Sequence, residues 1–155
     1  MMARINSGIN PKFLSDQHLI AESVEITMIT GNLRKNNYEI KGDIPEKYCL
    51  GKGHMNFFKN KLIYLWHRIN EVNAEMKRRG FNPGTKIDLF EFNQMLPSQP
   101  FIPSISDSNL VRERIVERLR NPKKAKPGFH KFHGKPIEDI ETFSYHLLHS
   151  ELYFV

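Results

Sequence analysis

A short arm, Ala3-Arg4-Ile5-Asn6, precedes the run Asp16-Gln17-His18-Leu19-Ile20-Ala21-Glu22-Ser23-Val24-Glu25, which sets an imidazole and two carboxylates among apolar residues. These are the side chains that move protons near neutral pH, so His18, Glu22 and Glu25 are the first candidates for chemistry. Glu22 and Glu25, three residues apart, fall on much the same face of a helix. Ordinary readings stand beside the chemical ones: an exposed helix glutamate for Glu25, and a core or cap histidine for His18. His54 follows the Gly51-Lys52-Gly53 turn and reads as a structural cap of the next helix. His130, His133, His146 and His149 lack the carboxylate–histidine spacing of a metal centre, and neither metal nor cofactor is expected.

The second constellation is cationic. Residues 111–135 hold nine Lys/Arg and two Glu, a net +7, whereas residues 136–155 hold four acids and no Lys or Arg, a net −4. So local a concentration of positive charge marks a surface for a polyanion; a solvated basic helix followed by a flexible linker is the plain alternative. Arg114 and Arg118 lie one turn apart and can share a face. With Lys131 and Lys135 they are the best phosphate contacts, and Arg34, Lys35, Lys123, Lys124 and Lys126 are secondary ones. Phe129 and Phe132 alternate with His130 and Lys131, as a surface that stacks on bases and neutralises phosphates requires. Equally, either phenylalanine could anchor this tail to the core.

These groups need elements to hold them. Asn10-Pro11 and Ser15 are alternative N-caps of a first helix that is expected to run to about Thr30, with Gly31 and Asn32 as its stop or kink. Residues 36–53 read as loop. Phe58, Leu62, Leu65, Ile69, Val72 and Met76 recur at four- and three-residue spacing and predict a second, core-facing helix. Lys77-Arg78-Arg79 suit the negative end of its dipole, and Gly80 ends it. Four prolines interrupt residues 81–106, leaving room for a turn near 88–95. Ser106 or Asp107 is the expected cap of a third helix over 108–120, with Leu110, Val111, Ile115 and Leu119 inward and Pro122 beyond its end. Ile140, Phe143, Leu147, Leu148 and Leu152 predict a further helix within 137–152. The expectation is an all-α, compact single domain: three main helices with long loops over residues 1–136, and a helical extension, 137–155, packed on its back. That extension serves stability, or else its acidic face competes with a polyanion for the basic surface.

With 155 residues and 39% hydrophobic side chains, the chain can bury one core without staples. No run approaches the ~18 apolar residues of a membrane span, and the N-terminus lacks an apolar signal segment. Cys49 is the single cysteine, which excludes an internal disulfide and a cysteine-based zinc cluster. A monomer in the cytoplasm of a bacterial or phage-infected cell is expected.

Five collinear blocks resemble the phage-type pyrimidine-dimer DNA glycosylases, the phage endonuclease V family. Ala3-Arg4-Ile5-Asn6 is similar to its T-R-I-N opening, and Asp16-Gln17-His18-Leu19 with Ala21-Glu22 and Glu25 to its D-Q-H-L-x-A-E-x-R-E helix. Leu50-Gly51-Lys52-Gly53-His54 with Phe57-Phe58 and Lys61-Leu62 resembles the entry to its second helix. Lys77-Arg78-Arg79-Gly80-Phe81-Asn82 resembles that helix's K-R-G-F-N close, and Phe129 to Lys135 its terminal W-Y-K-Y-Y-G-K. Val24 stands where the family carries an arginine on the DNA side, and Phe129, Phe132 and His133 replace a tryptophan and two tyrosines.

The resemblance implies a DNA repair glycosylase and AP lyase acting on cyclobutane pyrimidine dimers in double-stranded DNA. The α-amine of the mature first residue would attack C1′ of the sugar, with Glu25 as its acid–base partner. An α-amine has a pKa of about 7.7–8.0 against about 10.4 for lysine, so its neutral fraction near pH 7 is ~400-fold larger. The residue preceding the R-I-N is Ala3, which implies a start at Met2 and its removal; starting at Met1 would displace the amine by up to ~3.5 Å per added residue. Arg4, Gln17, His18 and Glu22 are implied as supporting residues. A diverged relative acting on another damaged or modified base, or a non-catalytic DNA-binding protein, are the alternatives.

Overall fold

The computed structural model describes residues 4–122 and 129–154. Within them the chain forms five α-helices and one two-stranded hairpin. Asn10 caps a single 3-10 turn, Pro11–Phe13, through its Oδ1, which accepts the Lys12 N–H at 3.1 Å. Ser15 then caps α1 (Asp16–Lys35), so both expected caps are used in succession. The helix runs five residues past Thr30. A mid-helix glycine costs about 1 kcal/mol, and burying Leu33 beside Ile26 and Ile29 outweighs that cost.

The expected second helix is two helices, α2 (His54–Phe58) and α3 (Leu62–Arg78). Lys61 breaks between them: its Nζ turns back to donate to Phe57 O at 2.7 Å, satisfying a carbonyl that the end of α2 leaves open. Gly80 stops α3 at φ +85°, where the Phe81 N–H bonds back to Met76 O at 2.9 Å. A 3-10 turn, Asn93–Met95, is the regular element of the proline-rich stretch.

Helix α4 (Ile105–Arg120) begins three residues earlier than its sequence suggested. Ser104 is the cap, and Asp107 is the third residue of a capping box that returns a bond to the Ser104 N–H at 3.0 Å. Val111, Ile115 and Leu119 face inward, but Leu110 lies at the edge of that face and is exposed. The hairpin pairs β1 (Lys131–Phe132) with β2 (Lys135–Pro136), antiparallel. Helix α5 (Ile140–Leu148) is shorter than expected, because Asp139 caps it while the Ile137 N–H extends the hairpin to His130 O at 2.9 Å.

The principal packing is α1 on α3, with α5 laid on α4. One apolar cluster joins α1, α2 and α3 through Ile29, Phe57, Phe58 and Leu65. The second joins the N-terminal segment, the end of α3, α4 and α5 through Leu14, Met76, Ile115 and Leu147. Buried Arg112 on α4 donates to Leu147 O and Ser150 Oγ, each at 2.6 Å. The Tyr153 N–H reaches Gly8 O at 2.9 Å. Gly8 sits at φ +81°, and a Cβ there would meet Ser108 at 2.7 Å, so this crossing of arm, α4 and C-terminal segment requires glycine. No helix among the described residues is long and apolar enough to cross a membrane.

Candidate active site

The N-terminal arm is held as part of the core. The Ile5 side chain is wholly buried, and both of its backbone groups are bonded: its N–H donates to His54 Nε2 at 2.9 Å, and its carbonyl accepts the Tyr48 hydroxyl at 2.8 Å. His54 Nδ1 lies 2.7 Å from Cys49 O, so the proton sits on Nδ1 and Nε2 is left to accept. Burial lowers the His54 pKa to about 4, which keeps this acceptor neutral. His54 therefore does more than begin α2: its ring fastens the arm.

Glu22 is the second fastening. Its carboxylate and the Arg68 guanidinium are both fully buried and form a two-bond pair, Arg68 Nε to Oε2 at 2.5 Å and Nη2 to Oε1 at 2.9 Å. The remaining capacity is filled by the Asn6 amide, 2.8 Å from Oε1, while Arg68 Nη1 donates to Ile9 O at 2.6 Å. Every partner of Glu22 is structural; it ties α1 to α3 and to both ends of the arm.

Glu25, one turn along, has no such carboxylate-neutralising cage, yet it is only 2% exposed. Burial raises its pKa, opposed by the positive charge of Arg4, itself buried. A carboxyl whose pKa is raised by burial holds a proton more readily than an exposed one. Arg114 completes a run of positive charge: burial and the charges of Arg4 and Arg118 push its pKa down, though the guanidinium stays protonated. Arg118 Nε is buried without a hydrogen-bond partner, 3.9 Å from the Glu117 carboxylate. Mutual crowding of the Arg4, Arg114 and Arg118 guanidiniums favours an incoming anion.

His18 borders this group from α1. Ser15 Oγ lies 2.7 Å from its Nδ1, and its ring stacks on His130 at 5.3 Å between centroids. Burial, followed by the charges of His130, Arg114 and Arg118, lowers its pKa to about 3. It is a neutral, capped side chain that seats the tail. Gln17 does the same with its amide, donating to Phe129 O at 2.6 Å and accepting the Lys131 N–H at 2.7 Å. Asp16 adds bonds from the N–H groups of His133 and Gly134 and pairs with Arg79 at 2.9 Å. Phe132 is the anchor, lying against Phe143 at 5.4 Å and beneath the Arg79 guanidinium at 4.7 Å. Phe129 is partly exposed, its ring edge-on to His130 at 5.0 Å between centroids.

The structure thus brings Arg4, His18, Glu25, Arg114, Arg118 and His130 to one place. Lys131 and Lys135 are exposed on the hairpin strands that follow. Arg34 and Lys35 are elsewhere: they stand nine and ten residues beyond Glu25, ~14 Å along α1. Arg34 is paired with Glu91, which also accepts the Tyr38 hydroxyl. Ala3, Met1, Met2, Lys123, Lys124 and Lys126 lie outside the described residues. Among the described residues, no group of three or more His, Cys, Asp or Glu is placed to hold a metal ion. Sequence reasoning missed Arg68, although its position between Leu65 and Ile69, inside an apolar seam, was the available signal. A family model described as pyrimidine dimer DNA glycosylase matches residues 2–89, the span that contains the arm, α1, α2 and α3.

Proposed function

Since the chain belongs to the pyrimidine dimer DNA glycosylase family, we propose that it excises cyclobutane pyrimidine dimers from duplex DNA through an imine formed by its own N-terminus. The α-amine of Ala3, exposed by removal of Met2, attacks C1′ and forms the new N–C bond. The glycosidic bond breaks and the base leaves with its electron pair; the nitrogen loses a proton, its lone pair forms the C=N bond as the C1′–O4′ bond breaks, and O4′ takes up a proton as the sugar ring opens, giving the protonated imine. Removal of a C2′ proton then expels the 3′ phosphate by β-elimination. Glu25 takes and returns protons at the amine and sugar, and Arg4, Arg114 and Arg118 hold the flanking phosphates.

The observation that carries this reading is the arm. Ile5 is bonded on both sides, Arg4 is buried beside Glu25, and covalent geometry keeps the nitrogen of residue 3 within ~7 Å of Ile5. A nucleophile that must reach a fixed carboxyl needs such a short, anchored leash. Borohydride trapping tests it. A chain beginning at Ala3 should become covalently joined to DNA containing abasic sites and to ultraviolet-irradiated duplex; failure on both would end the imine reading.

A second reading has one observation in its favour. Val24, half-exposed next to Glu25, offers no charge where an arginine would meet DNA. Trapping on abasic DNA without trapping on irradiated DNA would mean that the chemistry persists on another damaged base.

A further inference from the structure

The N-terminal arm is held by two sets of partners. Tyr48, His54 and the Glu22–Arg68 pair are one; the segment that follows α5, which no step above uses, is the other. Asn6 to Ile9 form a tight turn, closed by the Ile9 N–H on Asn6 O at 3.2 Å, with Gly8 at φ +81° in its third position. The turn offers two successive carbonyls to two arginines. Ile9 O accepts Arg68 Nη1 from α3 at 2.6 Å. Gly8 O accepts the Tyr153 N–H at 2.9 Å and, at 3.5 Å, Arg112 Nη2 from α4.

The second set of partners is itself pinned. Arg112 is 3% exposed; beyond its bonds to Leu147 O and Ser150 Oγ, its Nη2 reaches Glu151 O at 3.4 Å. One guanidinium therefore joins the end of α5, the segment beyond it and the arm. Burying that charge is costly unless its donors are used, and here they are spent on this junction. The Tyr153 hydroxyl donates to Glu71 Oε2 on α3 at 2.7 Å, and Leu152 Cδ1 would lie 2.8 Å from a Cβ on Gly8. Residues 136–155 carry four acids and no Lys or Arg, so this segment does not suit a phosphate.

We propose that residues 150–153, gripped by Arg112, are a strap that positions the nucleophile. They lock the Asn6–Ile9 turn and so fix the direction in which the chain runs back to its first amine. The inference rests on the imine reading above and adds what orients the attacking nitrogen. The two backbone bonds of Ile5 hold the arm at one point, about which it can pivot; a second hold at Gly8 removes that freedom. Misplacing a reacting group by about 1 Å can cost on the order of 100-fold in rate. Arg112, Leu152 and Tyr153 are positioning residues that act through the arm and touch neither DNA nor the reacting atoms.

The test compares the unmodified chain, beginning at Ala3, with one that ends at His149 and with an otherwise intact Leu152→Ala/Tyr153→Phe variant. Three quantities are measured: the borohydride-trapping rate at saturating abasic duplex, the Kd for a duplex carrying a tetrahydrofuran analogue, and hydrogen exchange of the arm and of α3. The shortened chain should trap about tenfold more slowly at saturation with an unchanged Kd. Its Ser7 and Ile9 amides should exchange about tenfold faster while those of Leu65 to Ile69 keep their protection. The double variant should move the same way by less, and it carries the test if the shortened chain does not fold. An unchanged trapping rate would overturn the proposal. So would protection lost equally in α3, which gives the segment a role in stability alone. A changed Kd with an unchanged rate at saturation would also overturn it, because the segment would then act on DNA binding. If the unmodified chain does not trap at all, the imine reading falls. The exchange comparison then decides by itself whether the strap holds the arm, and unaltered exchange at Ser7 and Ile9 would show that it does not.

Discussion

Acid should loosen the arm, and His54 sets the range. Its Nε2 accepts the Ile5 N–H, so a proton on that nitrogen would set donor against donor inside the core. Its folded pKa is about 4, and that of His18 about 3. In the unfolded chain both return to about 6.5. Between these values the unfolded state binds more protons than the folded one, so stability is complete above about pH 6.5 and is lost as pH falls toward the folded pKa values. At pH 5.5 each histidine removes about 1.4 kcal/mol, or about 3 kcal/mol for the pair. For a chain of this size that lowers Tm by roughly 6–12 °C. Glu25 acts with the opposite sign: its raised pKa makes its ionised form a burden at neutral pH that acid relieves, so it offsets part of the fall. Thermal melts at pH 7.5, 6.5 and 5.5 measure the slope. His54→Gln keeps an acceptor for Ile5 and a donor for Cys49 but cannot titrate, and should lose about half of the dependence. Identical slopes for the two proteins, or a Tm that rises on acidification to pH 5.5, would refute the reasoning.

Glu25→Gln should abolish base excision while leaving duplex affinity within a few-fold, read by product gels and filter binding; normal turnover would eliminate Glu25 as the proton-exchanging group. Arg118→Ala should weaken binding to all duplexes and reduce the salt slope by about one unit, because one phosphate contact is lost. An unchanged slope would put Arg118 away from DNA. Arg68→Met leaves the Glu22 carboxylate buried without its partner and should cost about 3–5 kcal/mol in urea unfolding. The paired change Glu22→Leu/Arg68→Met should recover most of that loss, and a single variant as stable as the parent would show that the pair holds nothing.

What the sequence made legible was local. The seam of α3 and its glycine stop follow from a repeat within one helix, whereas Glu22 is set apart from Glu25 as a supporting residue only through the family resemblance. What stayed hidden was carried by partners far along the chain. Arg68 meets Glu22 across 46 residues, and His54 meets Ile5 across 49. No local pattern reports that an imidazole will accept a backbone N–H from another element. Gln17 carries no local sign of its two bonds, because they go to a tail more than a hundred residues away. Boundaries failed for a related reason. Packing of Leu33 carried α1 past a glycine, and the Ser104–Asp107 box moved the start of α4, because propensity yields to tertiary contacts and capping geometry.

The central claim is that the reacting nitrogen is the chain's own first amine, delivered to Glu25 by an anchored arm. Peptide mapping by mass spectrometry of the borohydride-trapped complex, made with protein confirmed to begin at Ala3, tests it most directly. The account predicts that the sugar remnant is found on the N-terminal peptide, at the α-nitrogen of Ala3. A remnant on a lysine side chain, or trapping undiminished after the α-amine has been acetylated, would contradict it.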